Sequence, residues 1–288
     1  MTPLLPPGFL ARLAAFEVAS RRPAGVLPGG LHRTARPGAG TLFRDHRPYA
    51  EGDDPRTVDW NAYARLEVLV TKQFEAEEAV RVVLLLDASA SMAAGDRSRL
   101  RAAARALAVL GAIALGRGDL VELLTIPGGV RRSFKGHGRL PALMEALGAA
   151  EGQGRTDLAA EFRSGLAGVR GRALAVVASD FLDPRGATAG VDLLRRRGWE
   201  VRALRPVAPA DFEPPPEGRV AIVDAETGEE RLLDLGAGAR ERLREGAKRR
   251  LAALGAAFRS RGVPFARIPT EEDGSGLLAA LRRGGVLA

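Results

Sequence analysis

From Arg81 onward the chain alternates apolar runs with helical periodicities. Val82-Val83-Leu84-Leu85-Leu86 is a continuous apolar run, the pattern of a strand covered on both faces. Leu100, Ala104, Leu107, Leu110 and Ala114 then recur at spacings of three or four, which predicts a helix. Residues 120–126 read as a strand, and Pro127-Gly128-Gly129 turns it into 130–134, an edge hairpin partner. Two more helices follow, one marked by Leu140, Leu143, Met144 and Leu147, the other by Leu158, Phe162, Leu166 and Val169. Residues 173–178 form a buried strand ending at Ser179-Asp180. Val191 and Leu194 mark a short helix, 201–207 a strand, and Pro214-Pro215-Pro216 a linker. Residues 220–223 and 231–235 flank Glu226-Thr227-Gly228-Glu229 as a hairpin. Leu243, Ala247, Leu251, Leu254 and Phe258 give a long helix, 264–268 a last strand and 276–283 a last helix.

Alternating strands and helices predict an α/β fold, a doubly wound, mostly parallel sheet flanked by helices. The hairpin is a small β insertion near 218–236. Ahead of this region the pattern is weaker. Residues 9–19 carry a short helical pattern, and the Pro/Gly/Arg-rich stretch through Gly40 reads as loop. Val68-Leu69-Val70 is strand-like, and Glu51-Gly52-Asp53-Asp54-Pro55-Arg56 is a charged turn. The expected division is an N-terminal segment, 1–78, packed on an α/β domain at 79–288.

Composition narrows the chemistry. At 288 residues the chain can bury a full core. It has no cysteine, which excludes disulfides, thiolate metal sites and thiol nucleophiles. Three histidines, scattered at 32, 46 and 137, do not make a His-rich metal site. The formal charge is +8, and with Lys only at 72, 135 and 248 the basic residues are almost all Arg. Aromatics are 5%, so the interleaving of basic and stacking residues expected of a nucleic-acid surface is poor. No stretch approaches the ~20 apolar residues of a membrane span, and the N-terminus lacks the pattern of a signal peptide. The expected location is cytoplasmic.

The richest five residues are Asp87-Ala88-Ser89-Ala90-Ser91, directly after the first buried strand. A carboxylate and two hydroxyls at alternate positions make an all-oxygen cluster of the kind that suits Mg2+ or Mn2+. Ser89 or Ser91 could equally be a helix N-cap. In doubly wound folds ligands bind beyond the carboxyl ends of the strands, where the strand order reverses. Asp87 and Asp180 both fall at such ends, and the loop Gly152-Gln153-Gly154-Arg155-Thr156-Asp157 precedes a helix on the same rim. Thr156 or Asp157 could simply cap that helix.

Taken together, Asp87, Ser89, Ser91, Thr156 and Asp180 resemble the metal-ion-dependent adhesion site of a von Willebrand factor A domain. The upstream signature Arg47-x-Tyr49-x-x-Gly52-Asp53-Asp54-x-Arg56-x-x-Asp59-Trp60, with Ala64-Arg65 and Phe74-Glu75, is similar to the family known as domain of unknown function 58. So is the hairpin from Asp224 to Glu229. That family couples the signature to a von Willebrand A-like domain. The resemblance implies that Ser89 and Ser91 bind Mg2+ (or Mn2+) directly and Thr156 directly or through water. Asp87 and Asp180 would act through waters and hydrogen bonds. It further implies a non-enzymatic protein-interaction module whose metal takes an acidic side chain from a partner. A MoxR-type AAA+ ATPase, in assembly or maturation of other proteins, is the partner so implied.

Two other functions are open on the sequence. Asp87 could be the nucleophile of an Mg2+-dependent phosphatase, although position 89 is Ser where such enzymes usually carry a second Asp. The Arg surfaces could bind nucleic acid. Among the remaining motifs, the Asp53 and Asp54 carboxylates are expected to pair with Arg47, Arg56 or Arg65. Arg195-Arg196-Arg197 is expected to close a helix C-terminus, and Lys248-Arg249-Arg250 to lie on a solvated helix face.

Overall fold

The computed structural model describes residues 4, 5, 9, 13, 32–37, 43–78, 80–95, 98–270 and 274–287. The helical pattern at 9–19 and most of the stretch through Gly40 lie outside the described residues. The chain divides into two compact units, Arg22–Val80 and a larger one formed by Met1–Arg21 with Arg81–Ala288.

The smaller unit holds an antiparallel three-stranded sheet. Its strands are β1 (His32–Pro37), β2 (Phe43–Pro48) and β3 (Val70–Glu78), with β3 in the middle. A helix, α1 (Trp60–Leu66), lies between β2 and β3 in sequence. β1 corrects the expectation of loop up to Gly40: composition conceals a strand whose hydrogen bonds come from β3. Of the apolar run at 68–70, only Val70 enters a strand.

The larger unit contains β4 (Arg81–Asp87), α2 (Ala90–Ala93), α3 (Ser98–Gly116), β5 (Leu120–Ile126), β6 (Val130–Lys135), α4 (Leu140–Gly148) and α5 (Leu158–Gly165). It continues with β7 (Leu174–Ala178), α6 (Pro184–Arg196), β8 (Glu200–Val207), β9 (Gly218–Val223), β10 (Glu230–Leu235), α7 (Ala239–Ser260), β11 (Phe265–Pro269) and α8 (Gly274–Arg283). Six strands make one sheet in the order β11-β8-β7-β4-β5-β6. All neighbours are parallel except β6, which runs antiparallel to β5 at the edge. The doubly wound, mostly parallel sheet expected from the sequence is therefore the one observed. Among the described residues β9 and β10 pair only with each other, as the separate hairpin.

Both faces of β4 are buried, which is why its sequence is a continuous apolar run rather than an alternation. Val83 and Leu85 point into a core with Leu158, Phe162, Val191, Leu194 and Phe258 from α5, α6 and α7. On the other face Leu84 meets α3, which is buried along almost its whole length. Burying side chains of this size stabilises the fold by about 1.5–3 kcal/mol each. α6 runs thirteen residues, longer than Val191 and Leu194 alone suggested, because Asp183 caps its start through the amides of Arg185 and Gly186.

The consequence for function is positional. β4 hydrogen-bonds β5 on one side and β7 on the other, so the strand order reverses at β4. Leu86 lies opposite Ala178, which sets Asp87 and Ser179 side by side as both strands end.

Candidate functional site

Asp87, the last residue of β4, is 2% exposed. Its carboxylate accepts three hydrogen bonds from three segments. The Ser89 amide and the Thr156 hydroxyl donate to Oδ1 at 3.0 and 2.9 Å, and the Ser179 hydroxyl donates to Oδ2 at 2.6 Å. Burial pushes the Asp87 carboxyl above its ordinary range, and these hydrogen bonds oppose the shift.

Ser89 is fully buried and stands at the N-cap position of α2, in extended backbone. Its side chain makes no capping hydrogen bond. The hydroxyl instead lies 3.0 Å from the Ser91 hydroxyl. The capping role that the sequence allowed is thus not what Ser89 Oγ performs. A parallel separation holds at α5: Asp157 caps it by accepting the Ala160 amide at 3.0 Å, which leaves Thr156 to reach Asp87.

The loop carrying Thr156 is tied to the Asp-x-Ser-x-Ser turn by backbone. Gln153 N–H donates to Ala88 O at 2.9 Å and Ala90 N–H to Gly154 O at 3.0 Å. Gly152 is required by contact: a Cβ there would fall 2.0 Å from Ala93 Cβ.

Asp180 follows β7 and is buried, its Oδ1 accepting the Leu182 amide at 3.2 Å. The next residue, Phe181, adopts a left-handed φ of +50°, a conformation that costs free energy outside glycine. That turn sends the Phe181 ring into the core, 5.1 Å from Phe258, and leaves Asp180 on the rim. Burial pushes the Asp180 carboxyl up, and the like charge of Asp87 adds to it; a hydrogen bond with Ser91 and the charge of Arg205 oppose.

All five residues singled out in the sequence therefore meet at one place, from three separate loops. A sixth was not singled out. Ser91 donates to Glu226 Oε1 at 3.3 Å, from the tip of the β9–β10 hairpin. Glu226 Oε2 lies 3.8 Å from Arg155 Nε. Burial pushes the Glu226 carboxyl up as well, and Asp180 adds to that. A cavity of about 410 Å3 opens here, with Asp87, Thr156, Ser179, Asp180 and Glu226 in its lining.

The donor set fits a hard cation. Two buried carboxylates repel one another, and three hydroxyls stand beside them. The Ser89–Ser91 separation of 3.0 Å is also the cis edge, about 3 Å, of an octahedron with Mg2+–O bonds near 2.1 Å. Among the described residues there is no group of three or more His, Cys, Asp or Glu side chains able to hold a metal. A cation here would depend on hydroxyls and water.

The other motifs take the plainer roles. Arg47 donates to Asp53 at 2.6 Å, and Asp54 accepts the Arg56 amide at 2.9 Å. Arg195 and Arg196 close α6, and the Arg197 guanidinium sits over the Trp199 ring. Lys248 pairs with Glu245 on the exposed face of α7.

A family model described as protein of unknown function DUF58 matches residues 45–253. Two curated mycobacterial proteins are each 28% identical over 295 residues, covering 98% of this chain and 92% of their own: the uncharacterized proteins Mb1516 of Mycobacterium bovis and Rv1480 of Mycobacterium tuberculosis. Among solved structures, the conserved hypothetical protein BatB of Bacteroides thetaiotaomicron aligns at a TM-score of 0.34 and 16% identity, over 72% of this chain and 98% of its own. An aerotolerance-related membrane protein of Bacteroides fragilis aligns over the same shares at 0.35 and 17%.

Proposed function

The chain belongs to the DUF58 family, and from that premise we propose that its larger unit is a cation-dependent protein-interaction module. The observation that supports this most is the division of labour around Asp87. Its carboxylate accepts hydrogen bonds from Ser89 N–H, Thr156 and Ser179, so it organises the site from within. The Ser89 hydroxyl makes no capping hydrogen bond, and it stands together with the Ser91 hydroxyl beside Asp87.

Ser89 and Ser91, with Thr156, would hold Mg2+ or Mn2+; Asp87 and Asp180 would steady them and the water around them. The cation supplies affinity for one more anionic oxygen, because few anionic oxygens touch it directly. An Asp or Glu of a partner protein is the matching group. The chain's own part is to hold the hydroxyls 3.0 Å apart, fix Thr156 through Asp87, and bury Asp180 beside them.

A phosphatase reading fits less well. A nucleophilic Asp87 would need an accessible oxygen, yet the side chain is 2% exposed and its three hydrogen bonds lower the reactivity of the carboxylate. The proposed partner is a MoxR-type AAA+ ATPase presenting an acidic residue, and the proposed role is assembly or maturation of other proteins.

The test is a binding assay between the full chain and the MoxR-type ATPase of the same organism, with Mg2+ or with EDTA. Binding with Mg2+, lost with EDTA and lost in Ser89→Ala/Ser91→Ala, is the expected result. Binding unchanged by EDTA and by the double substitution overturns the metal dependence. Mg2+-dependent phosphoester hydrolysis lost in Asp87→Asn would move the assignment to catalysis.

A further inference from the structure

The β9–β10 hairpin is exposed along almost its whole length. Of its two strands only Leu235 is buried and only Val220 half-buried. The tip breaks this pattern at one residue. The Glu226 side chain is drawn in to 22% exposure while Asp224, Ala225, Thr227 and Gly228 remain exposed.

The turn is built to aim it. Asp224 accepts the Glu226 and Thr227 amides at 2.8 and 2.9 Å, and Gly228 reverses the chain at a left-handed φ of +72°. The side chain so directed reaches Ser91, one of the two hydroxyls proposed to hold the cation. Moving a carboxylate out of water and toward Asp180 costs free energy. One hydroxyl donor at 3.3 Å and an exposed Arg155 at 3.8 Å are modest returns. A divalent cation among Ser89, Ser91 and Glu226 would make the same placement favourable.

The geometry points to Glu226 as an intramolecular ligand of the cation site, standing where a partner's carboxylate would bind. This rests on the cation reading of Asp87, Ser89, Ser91, Thr156 and Asp180. The hairpin is then a built-in competitor, and a partner's acidic side chain engages by displacing its tip. The exposed strands bury little area that such a movement would have to give up.

Mn2+ alone is the probe, with the full chain. Electron paramagnetic resonance counts the free ion, and water proton relaxation reports the waters left on the bound one. Glu226→Gln is expected to bind Mn2+ about tenfold more weakly, one anionic oxygen having been lost. Its bound ion should relax water more strongly, since water takes the released position. Acetate should then reduce that relaxation at concentrations that leave the wild type unchanged. Glu229→Gln, on the same hairpin, should match the wild type. Equal Mn2+ affinity and equal relaxation in wild type and Glu226→Gln overturn the role of Glu226 and leave the cation site standing. Mn2+ binding no stronger in the wild type than in Ser89→Ala/Ser91→Ala overturns the cation reading, and this inference with it.

Discussion

The Ser179 hydroxyl donates to Asp87 Oδ2 at 2.6 Å, joining the ends of β7 and β4 across 92 positions of sequence. Ser179 Oγ also accepts the Phe181 amide at 3.0 Å, so one hydroxyl fixes both the Asp87 carboxylate and the turn that follows β7. Both residues are buried. Removing either leaves donors without acceptors away from water, and each such group costs about 1–3 kcal/mol. Asp87→Ala orphans three donors and is expected to lower unfolding stability by on the order of 3 kcal/mol. Ser179→Ala, which orphans the Phe181 amide, should cost about 1–2 kcal/mol. Urea unfolding of the metal-free protein measures both. Stabilities within about 0.5 kcal/mol of wild type, the range of an ordinary surface change, would contradict the role given to Asp87.

Asp180→Asn should behave in the opposite sense to Asp87→Ala, because Asn keeps an acceptor for the Leu182 amide while removing the ionisable group. Its carboxyl is raised by burial and then by Asp87. A raised carboxyl contributes its stability in full below the unfolded value near 3.8 and loses it as pH rises through the folded value. At neutral pH the buried Asp180 carboxyl therefore detracts from the stability of the metal-free protein, whether it ionises or keeps its proton. Asp180→Asn is expected to raise the Tm measured in EDTA at about pH 7, and to reduce the further rise that Mn2+ gives the wild type. A lower Tm in EDTA together with an undiminished Mn2+ effect would show that Asp180 is a structural partner only.

Gly152→Ala tests the mechanical link between the two loops. The new Cβ would lie 2.0 Å from Ala93 Cβ and 3.1 Å from Ser89 O. Ala93 ends α2, so relief of the clash shifts the turn that holds Ser91. The expected outcome is a stability loss of about 1–3 kcal/mol, the cost of overpacking, with Mn2+ affinity reduced alongside. Unaltered affinity would mean that the Ser89–Ser91 pair tolerates movement of α2.

Much of the larger unit was legible because its strands are buried on both faces. Residues 82–86 and 173–178 have no polar interruption, and their carboxyl ends had to form the rim. The five oxygen-bearing residues were legible for the same reason: each follows a strand or precedes a helix on that rim. Glu226 was not. It lies 135 positions from Ser91, on a hairpin whose own pattern is an ordinary polar turn, and only the tertiary fold brings it there. The available signal was chemical, since a hydroxyl-rich cation site wants one more carboxylate. β1 is hidden in the sequence because Arg, Pro and Gly dominate its surroundings, and its pairing with β3 comes from about forty residues downstream. α6 looks short in the sequence because its first turns carry Gly186 and Thr188 rather than an apolar stripe.

The smaller unit has its own pH signature. Asp59 caps α1, accepting the Asn61 and Ala62 amides at 3.1 and 3.2 Å. His46 Nε2 lies 2.9 Å from its Oδ2, and Lys72 Nζ 3.5 Å. The His46 hydrogen bond, then the Ala62 amide, Lys72 and the Asn61 amide, pull its carboxyl down to about 2. A lowered carboxyl gives stability that is present above the unfolded value near 3.8 and is lost as pH falls through the folded one. The window is thus about pH 4 to about pH 2. Trp60, the first residue of α1 and 60% exposed, stacks edge-on with Tyr63 and reports on the helix. In Trp199→Phe, which leaves Trp60 as the single tryptophan, acid titration should change the fluorescence across that window. Asp59→Asn keeps part of the cap but cannot titrate, so its α1 should be weaker at pH 7 and its response flat between pH 4 and pH 2. A transition of the same midpoint and amplitude in both proteins would assign the acid response to another group.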